Sequence, residues 1–363
     1  GIALVSDVGW VIALRVLQGV GGALLQPATL AVLRLAYPAD RLSIAVAIRT
    51  SAIGLAAAAG PILGGVLVAH SGWRAVFLVN IPVAVVIAGL CLAVRLPAPA
   101  RSASQPLGFT GPALLVTALA IGVHTLVGVP AHGWTAAPAL LGFLATAGVG
   151  AAFVLHQRRA EDPLVPAAVA RSVTVAASMV ILLVTTGGMF GALFVATFLF
   201  QDVFGLDALT SGLRVLPMTA LMIVGAPVAA AALRHYGPRR TAITGSVLVV
   251  AGIAGLSQLE PGSAPAFTGV TFAVLGAGFT AVMVTATGTV IGDAPPGYAG
   301  VVGGIKQTAM NVGPTLGIAI AAGMMAATSP AAGGATTAPA TGASFVVLAG
   351  LAGLGLIPAS LLP

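Results

Sequence analysis

Charge is what this sequence has least of. Only 6% of its 363 residues are charged, 15 Lys+Arg against 8 Asp+Glu, where a soluble chain of this length carries roughly 90. Too few ionic side chains are present to cover a water-exposed surface, which excludes a water-soluble globular enzyme. Cysteine is nearly absent as well. Cys91 stands alone inside an apolar run, so no internal disulfide and no multi-cysteine metal site can form. Aromatic residues make up 5% of the chain and the only lysine is Lys306. The arginines are scattered over several loops without interleaved aromatics, so nothing reads as a nucleic-acid surface. The motifs of embedded catalysis are missing too, with no H-E-x-x-H, paired Asp or G-x-S-x-G in the apolar stretches. Nothing calls for a cofactor or a metal.

What the chain does have is 58% apolar residues, 48 Gly and 24 Pro, with a mean hydropathy of +1.10. Glycine and proline are commoner in membrane helices than in soluble ones. A helix needs about 20 apolar residues to cross a roughly 30 Å hydrocarbon core, because its backbone amides can bond only within the helix. Eleven stretches satisfy this, over residues 11–36, 44–69, 74–94, 108–128, 137–155, 174–200, 209–233, 241–259, 265–291, 299–327 and 343–362. The expected fold class is an all-α polytopic membrane protein.

Lysine and arginine in short loops stay cytoplasmic. Ten of the fifteen cations fall at alternate loops: Arg34 and Arg41; Arg95 and Arg101; Arg158, Arg159 and Arg171; Arg234, Arg239 and Arg240. Only Arg74 flanks an outer loop, and the outer loops hold Asp7, Asp202, Asp207 and Glu260. The first span therefore runs inward from outside, and the net charge of +7 belongs to the cytoplasmic face. An external amino end without a signal segment, a start at Gly1 and a stop at Pro363 without a polar tail read as a fragment, with an odd number of helices expected upstream.

An internal repeat is visible at an offset of 257 residues. Gly19 aligns with Gly276, Gly21 with Gly278, Pro38 with Pro295, Arg49 with Lys306, and Gly60 with Gly317. Glycine matches are cheap in so glycine-rich a chain, whereas a proline and a membrane cation in the same register are less so. Both copies run helix, short loop, helix in the same direction, which makes the repeat parallel, about an axis along the membrane normal.

The first span reads RVLQGVGGALLQP. Arg15 and Gln18 are three residues apart, with Gly19 and Gly22 on the same stripe, giving one face a charge, an amide and small residues that allow close approach. Arg15 either snorkels to headgroups or faces a packed protein surface, and the neighbouring amide and glycines favour the second. The second span reads RTSAIGLAAAAGPILGGVL. Pro61 removes a backbone donor, and Gly60, Gly64 and Gly65 leave that region without side chains, so the helix can bend and pack tightly there. Arg49 either snorkels or faces a cavity.

These residues resemble the major facilitator superfamily, and within it the fourteen-helix drug:proton antiporters of the EmrB/QacA type. RVLQGVGGALL is similar to that family's fourth-helix motif, and GPILGGVL followed by GWRAVFLVNIP to the antiporter motif of its fifth helix and the entry to its sixth. FQDVFGLDALTSGLRVLP is similar to the junction of helices nine and ten, and GGIKQTAMNVGPTLGIAI to helix thirteen. The resemblance implies a major facilitator fold with about eleven of fourteen helices present. Residues 1–95 would be the later part of the N-terminal bundle, 96–173 a linker with two extra helices, and 174–363 the C-terminal bundle. It further implies that Arg15 takes part in proton transfer and that Gly60, Pro61, Gly64 and Gly65 form the antiporter bend. The loop ALRHYGPRRT, with Gly237, Arg239 and Arg240, would be a degenerate copy of the cytoplasmic gating loop. Departures from the family pattern are Ala47 and Ala56 in place of motif glycines and Arg234 in place of an aspartate.

Cavity candidates come from helical spacing. Phe194, Phe198 and Gln201 share one face, as do Met218 and Met222, and Gln307 and Asn311, with Arg49 and Lys306 as the paired cations. Such stripes either pack or bind, and flexible apolar side chains with a few amides suit a promiscuous cavity for lipophilic cations. All eight carboxylates sit in loops or at helix ends, so a coupling group would have to come from upstream or from His124, the one histidine well inside a span. The expected function is proton-coupled export of drugs or other lipophilic small molecules by alternating access. The alternative is a carrier of the same fold for an amino acid, siderophore or lipid precursor. The expected partners are a small-molecule substrate, protons and the lipid bilayer, and the expected setting is a monomer in a bacterial cytoplasmic membrane.

Overall fold

The computed structural model describes residues 1–38, 52, 56, 59–60, 63–93, 108–160, 163–292, 299–328 and 338–363. Among them the secondary structure is helical throughout, without strands. The elements are α1 (Val8–Ala36), α2 (63–71), α3 (Ala75–Leu78), α4 (Asn80–Ala93), α5 (Thr110–His132), α6 (Ala137–Arg159), α7 (Ala167–Ala170), α8 (Val173–Phe198), α9 (Ala208–Leu256), α10 (Pro265–Gly292), α11 (Ala299–Thr328), α12 (Ala338–Gly353) and α13 (Leu356–Ala359). Nine helical stretches among the described residues are long and apolar enough to cross a membrane. One of them, α9, contains two of the eleven spans read from the sequence, because Gly237 at φ 80°, ψ 170° breaks it into two arms. That backbone region is essentially reserved for glycine. Most of the sequence span 44–69 lies outside the described residues.

Local chemistry fixes several helix starts. The Asp7 carboxylate accepts the Trp10 amide at 3.2 Å and opens α1; Ser172 accepts the Val175 amide at 3.2 Å and opens α8. At α6 the extended Ala136 and the proline of the first turn set the backbone for entry, while His156, Arg158 and Arg159 occupy the last turn, where cations complement the helix dipole.

The chain divides into two compact units, Gly1–Gln105 with Asp207–Leu213, and Pro106–Leu206 with Arg214–Pro363. In the first unit, the apolar windows of α1 and of the α3–α4 stretch hold no buried residue.

The second unit is built around α8, 72% of whose membrane window is buried, against α10, α11 and α12. Burial of apolar side chains drives little between helices in lipid, where close packing decides instead, and glycine makes such packing available. A Cβ on Gly187 would lie 2.9 Å from the Gly313 carbonyl oxygen, and one on Gly191 2.8 Å from that of Gly317, so α8 and α11 cross backbone to backbone. The pair α5–α6 forms a hairpin turned at Gly133 (φ +89°), with Trp134 stacked on Phe143 at 6.3 Å. Val129 and Trp134 pack at Gly323 of α11, which attaches the hairpin to this unit. Phe200, Phe272, Phe345, Ile253, Leu275 and Leu348 fill the centre. Several buried hydroxyls bond back to their own helices, for example Thr186 to the Leu182 carbonyl at 2.7 Å and Ser344 to that of Ala340 at 2.8 Å, whereas those of Ser178, Ser246, Thr268 and Thr285 are buried without a partner among the described residues.

Candidate transport site

In the first unit Arg15 and Gln18 meet as their spacing predicts. Arg15 Nη1 donates to Gln18 Oε1 at 3.1 Å, and the guanidinium lies over the Phe77 ring, 5.1 Å from its centroid. Phe77 belongs to the segment GWRAVFLVNIP and is held edge-on to Trp73 at 5.9 Å. Its stacking role was not legible in the sequence, because α3 must fold back before the ring reaches α1. Arg74, between α2 and α3, reaches Ser6 Oγ at 3.5 Å and covers Trp73 at 4.9 Å. Gly19, Gly22, Gly60 and Gly64 have nothing within 4 Å of an added Cβ among the described residues. Gly65 differs: its Cβ would lie 3.1 Å from the Ala208 carbonyl oxygen and 3.3 Å from Leu209 Cα, so it is the motif glycine that touches another helix. Arg49 and Pro61 lie outside the described residues.

In the second unit the aromatic and methionine candidates separate. Phe194 and Phe198 pair at 4.9 Å, and both are half-buried, next to an exposed Gln201. Met222 is half-buried at the edge of the core cluster, whereas Met218 is 3% exposed within it; its backbone passes under Gly276 and its side chain packs. On α11 Gln307 Nε2 donates to Asn311 Oδ1 at 3.2 Å, and Lys306, one residue earlier, is half-buried. His124 is exposed on α5. Gly237 makes the turn of the arginine loop, its carbonyl accepts from Thr241 Oγ1 at 2.8 Å, and Arg239 and Arg240 are exposed just beyond it.

Sequence reasoning missed a second arginine–aromatic stack. Arg214, six residues into α9, lies over the Phe200 ring at 5.7 Å, within cation–π range. Phe200 sits in a single π-helical turn, Leu199–Val203, at the end of α8, and such turns are frequent at functional sites. The available signal was a lone arginine inside an apolar span. Before that arm, Asp207 accepts the Thr210 amide at 3.0 Å, and its hydrogen bonds with Thr210 hold the carboxyl below its ordinary pKa. No cluster of three or more His, Cys, Asp or Glu suited to a metal occurs among the described residues.

A family model described as Major Facilitator Superfamily matches residues 1–318. The chain belongs to the major facilitator superfamily. It is 40% identical over 328 residues to the tetracenomycin C resistance and export protein of Streptomyces glaucescens, across 90% of this chain and 60% of that protein. It is 29% identical over 326 residues to the methylenomycin A resistance protein of Streptomyces coelicolor, across 87% of this chain and 66% of that one. To the multidrug efflux pump LfrA of Mycolicibacterium smegmatis it is 29% identical over 314 residues, 84% of this chain and 60% of the pump. The chain thus spans less than two thirds of these curated relatives. Family membership and the apolar helices together make it a multi-pass membrane protein.

Proposed function

We propose that this major facilitator chain exports drugs or other lipophilic small molecules across a bacterial cytoplasmic membrane by proton-coupled alternating access, as a transporter of the fourteen-helix EmrB/QacA type and not as an enzyme. The observation that carries the reading is the 40% identity, over 90% of the chain, to a protein described as conferring resistance and export. The geometry agrees with it at Arg15. A guanidinium keeps its proton at working pH, so Arg15 acts by biasing a partner group while Gln18 and Phe77 hold it in place.

The test is accumulation of a fluorescent lipophilic cation in an efflux-deficient bacterial host expressing the protein. Expression should lower accumulation, collapse of the proton gradient should restore it, and Arg15→Ala should cost at least about tenfold in export, the cost of roughly 1.4 kcal/mol at the coupling step. Arg15→Lys keeps the charge but loses the planar stack on Phe77 and the fork toward Gln18, and should fall between. Full export by an Arg15→Ala protein present at wild-type level would remove Arg15 from the mechanism.

A further inference from the structure

A groove of about 510 Å³ runs along the second unit between both arms of α9 and α10. Its volume falls in the roughly 300–1,000 Å³ range of small-molecule sites. Leu221, Val224 and Val228 on the first arm, Leu248 on the second and Ala281 of α10 make its walls apolar, and Tyr236 and Arg240 stand at one end. Val224 and Val228 are each 65% exposed, so this is open surface and not core. From Leu221 to Tyr236 the helix rises about 22 Å at ~1.5 Å per residue, somewhat more than the ~15 Å half-thickness of a bilayer core.

The charge at the groove's end has one sign. Between Asp207 and Glu260 the chain carries Arg214, Arg234, Arg239 and Arg240 and not one carboxylate. Three of these four cations belong to the turn at Gly237, with Arg240 lining the groove and Arg239 exposed beside it. The positive-inside rule places that turn at the cytoplasmic leaflet, and a phosphate is the anion a guanidinium fork binds best there. A lipophilic cation would meet repulsion at the same mouth.

We infer that the groove between the arms of α9 and α10 binds one anionic phospholipid of the cytoplasmic leaflet, with an acyl chain along Leu221–Val228 and the headgroup phosphate on Arg240. Tyr236 then sits at the headgroup level, where amphipathic rings concentrate. The depth of the groove, its apolar walls and its cationic mouth match the three parts of such a lipid in order.

Native mass spectrometry of the purified protein, with phosphatidylglycerol or phosphatidylcholine of identical acyl chains added, tests this. The expected result is at least tenfold preferential retention of one phosphatidylglycerol, reduced at least fivefold by Arg240→Gln and preserved by Arg240→Lys. Val228→Phe fills the groove and should lower retention of both lipids, while Val247→Phe, an exposed valine outside the groove, should change neither. Equal retention of the two lipids by the wild-type protein, or unchanged phosphatidylglycerol retention in a monodisperse Arg240→Gln protein, overturns the inference. So does ethidium displacing the lipid and binding more tightly to Arg240→Gln, which would make the groove a substrate site.

Discussion

The glycines that align at an offset of 257 residues in the sequence have opposite surroundings in the two units. Among the described residues, Gly19, Gly21 and Gly60 of the first unit have nothing within 4 Å of a Cβ. Gly276, Gly278 and Gly317 of the second meet backbone directly: Gly278 would bring a Cβ 2.6 Å from the Val249 nitrogen, Gly276 closes on Met218, and Gly317 on Gly187. The same residue at matched positions serves two purposes. In the second unit glycine is a spacing device that lets α8 cross α11, and α10 pack on α9. In the first unit the glycines beside Arg15 and at Gly60 meet no described neighbour.

The largest effect that would break this contrast is at the crossings. Gly317→Ala or Gly278→Ala should destabilise the protein by at least about 3 kcal/mol, the upper part of the overpacking range, because rigid backbone and not a side-chain tip must give way. Gly19→Ala should be neutral or stabilise by up to about 1 kcal/mol from helix propensity. Thermal unfolding in detergent, followed by the monodisperse fraction, reads both, and equal tolerance at Gly19 and Gly317 would erase the distinction.

A smaller effect sharpens the contrast inside the first unit. The sequence motif treats Gly64 and Gly65 alike, whereas only Gly65 approaches Ala208 and Leu209. Gly65→Ala should cost about 1 kcal/mol and reduce export, while Gly64→Ala should leave stability unchanged. A reversal of that order in paired unfolding and transport measurements would relocate the motif contact to Gly64.

The smallest effect concerns the caps. The first arm of α9 opens on the Asp207 carboxylate, α8 on the Ser172 hydroxyl. The lowered pKa of Asp207 comes first from the Thr210 side chain and then from its amide. Its contribution is therefore complete above the ordinary carboxylate range near 4 and is lost as pH falls through the lowered native value. Protection of the Thr210 and Ser211 amides, taken relative to the intrinsic exchange rate at each pH, should fall over that acid window in the wild type and stay flat in Asp207→Asn, whose amide oxygen accepts at every pH. Exchange at Val175, capped by Ser172, should show no such step.

The architecture was largely legible in composition, because lipid imposes one requirement on every span, and length and hydropathy record it. The Arg15–Gln18 hydrogen bond was legible for a similarly local reason: residues three apart on a helix are neighbours. The stacks on Phe77 and Phe200 were not, since each ring comes from a different helical segment. Nor was the burial of Met218, because a methionine stripe reads the same whether a neighbouring helix or a ligand covers it.

By itself, then, the sequence determined that the chain is built of apolar helices, where arginines gather, and that a loop parts residues 209–233 from 241–259, all consequences of forces acting over a few residues or across one bilayer. Only the tertiary structure decided which glycines are spacers and which are bare surface. In a chain that is apolar on every face, a glycine's role depends on whether another backbone lies within van der Waals reach, and periodicity carries no record of that distance.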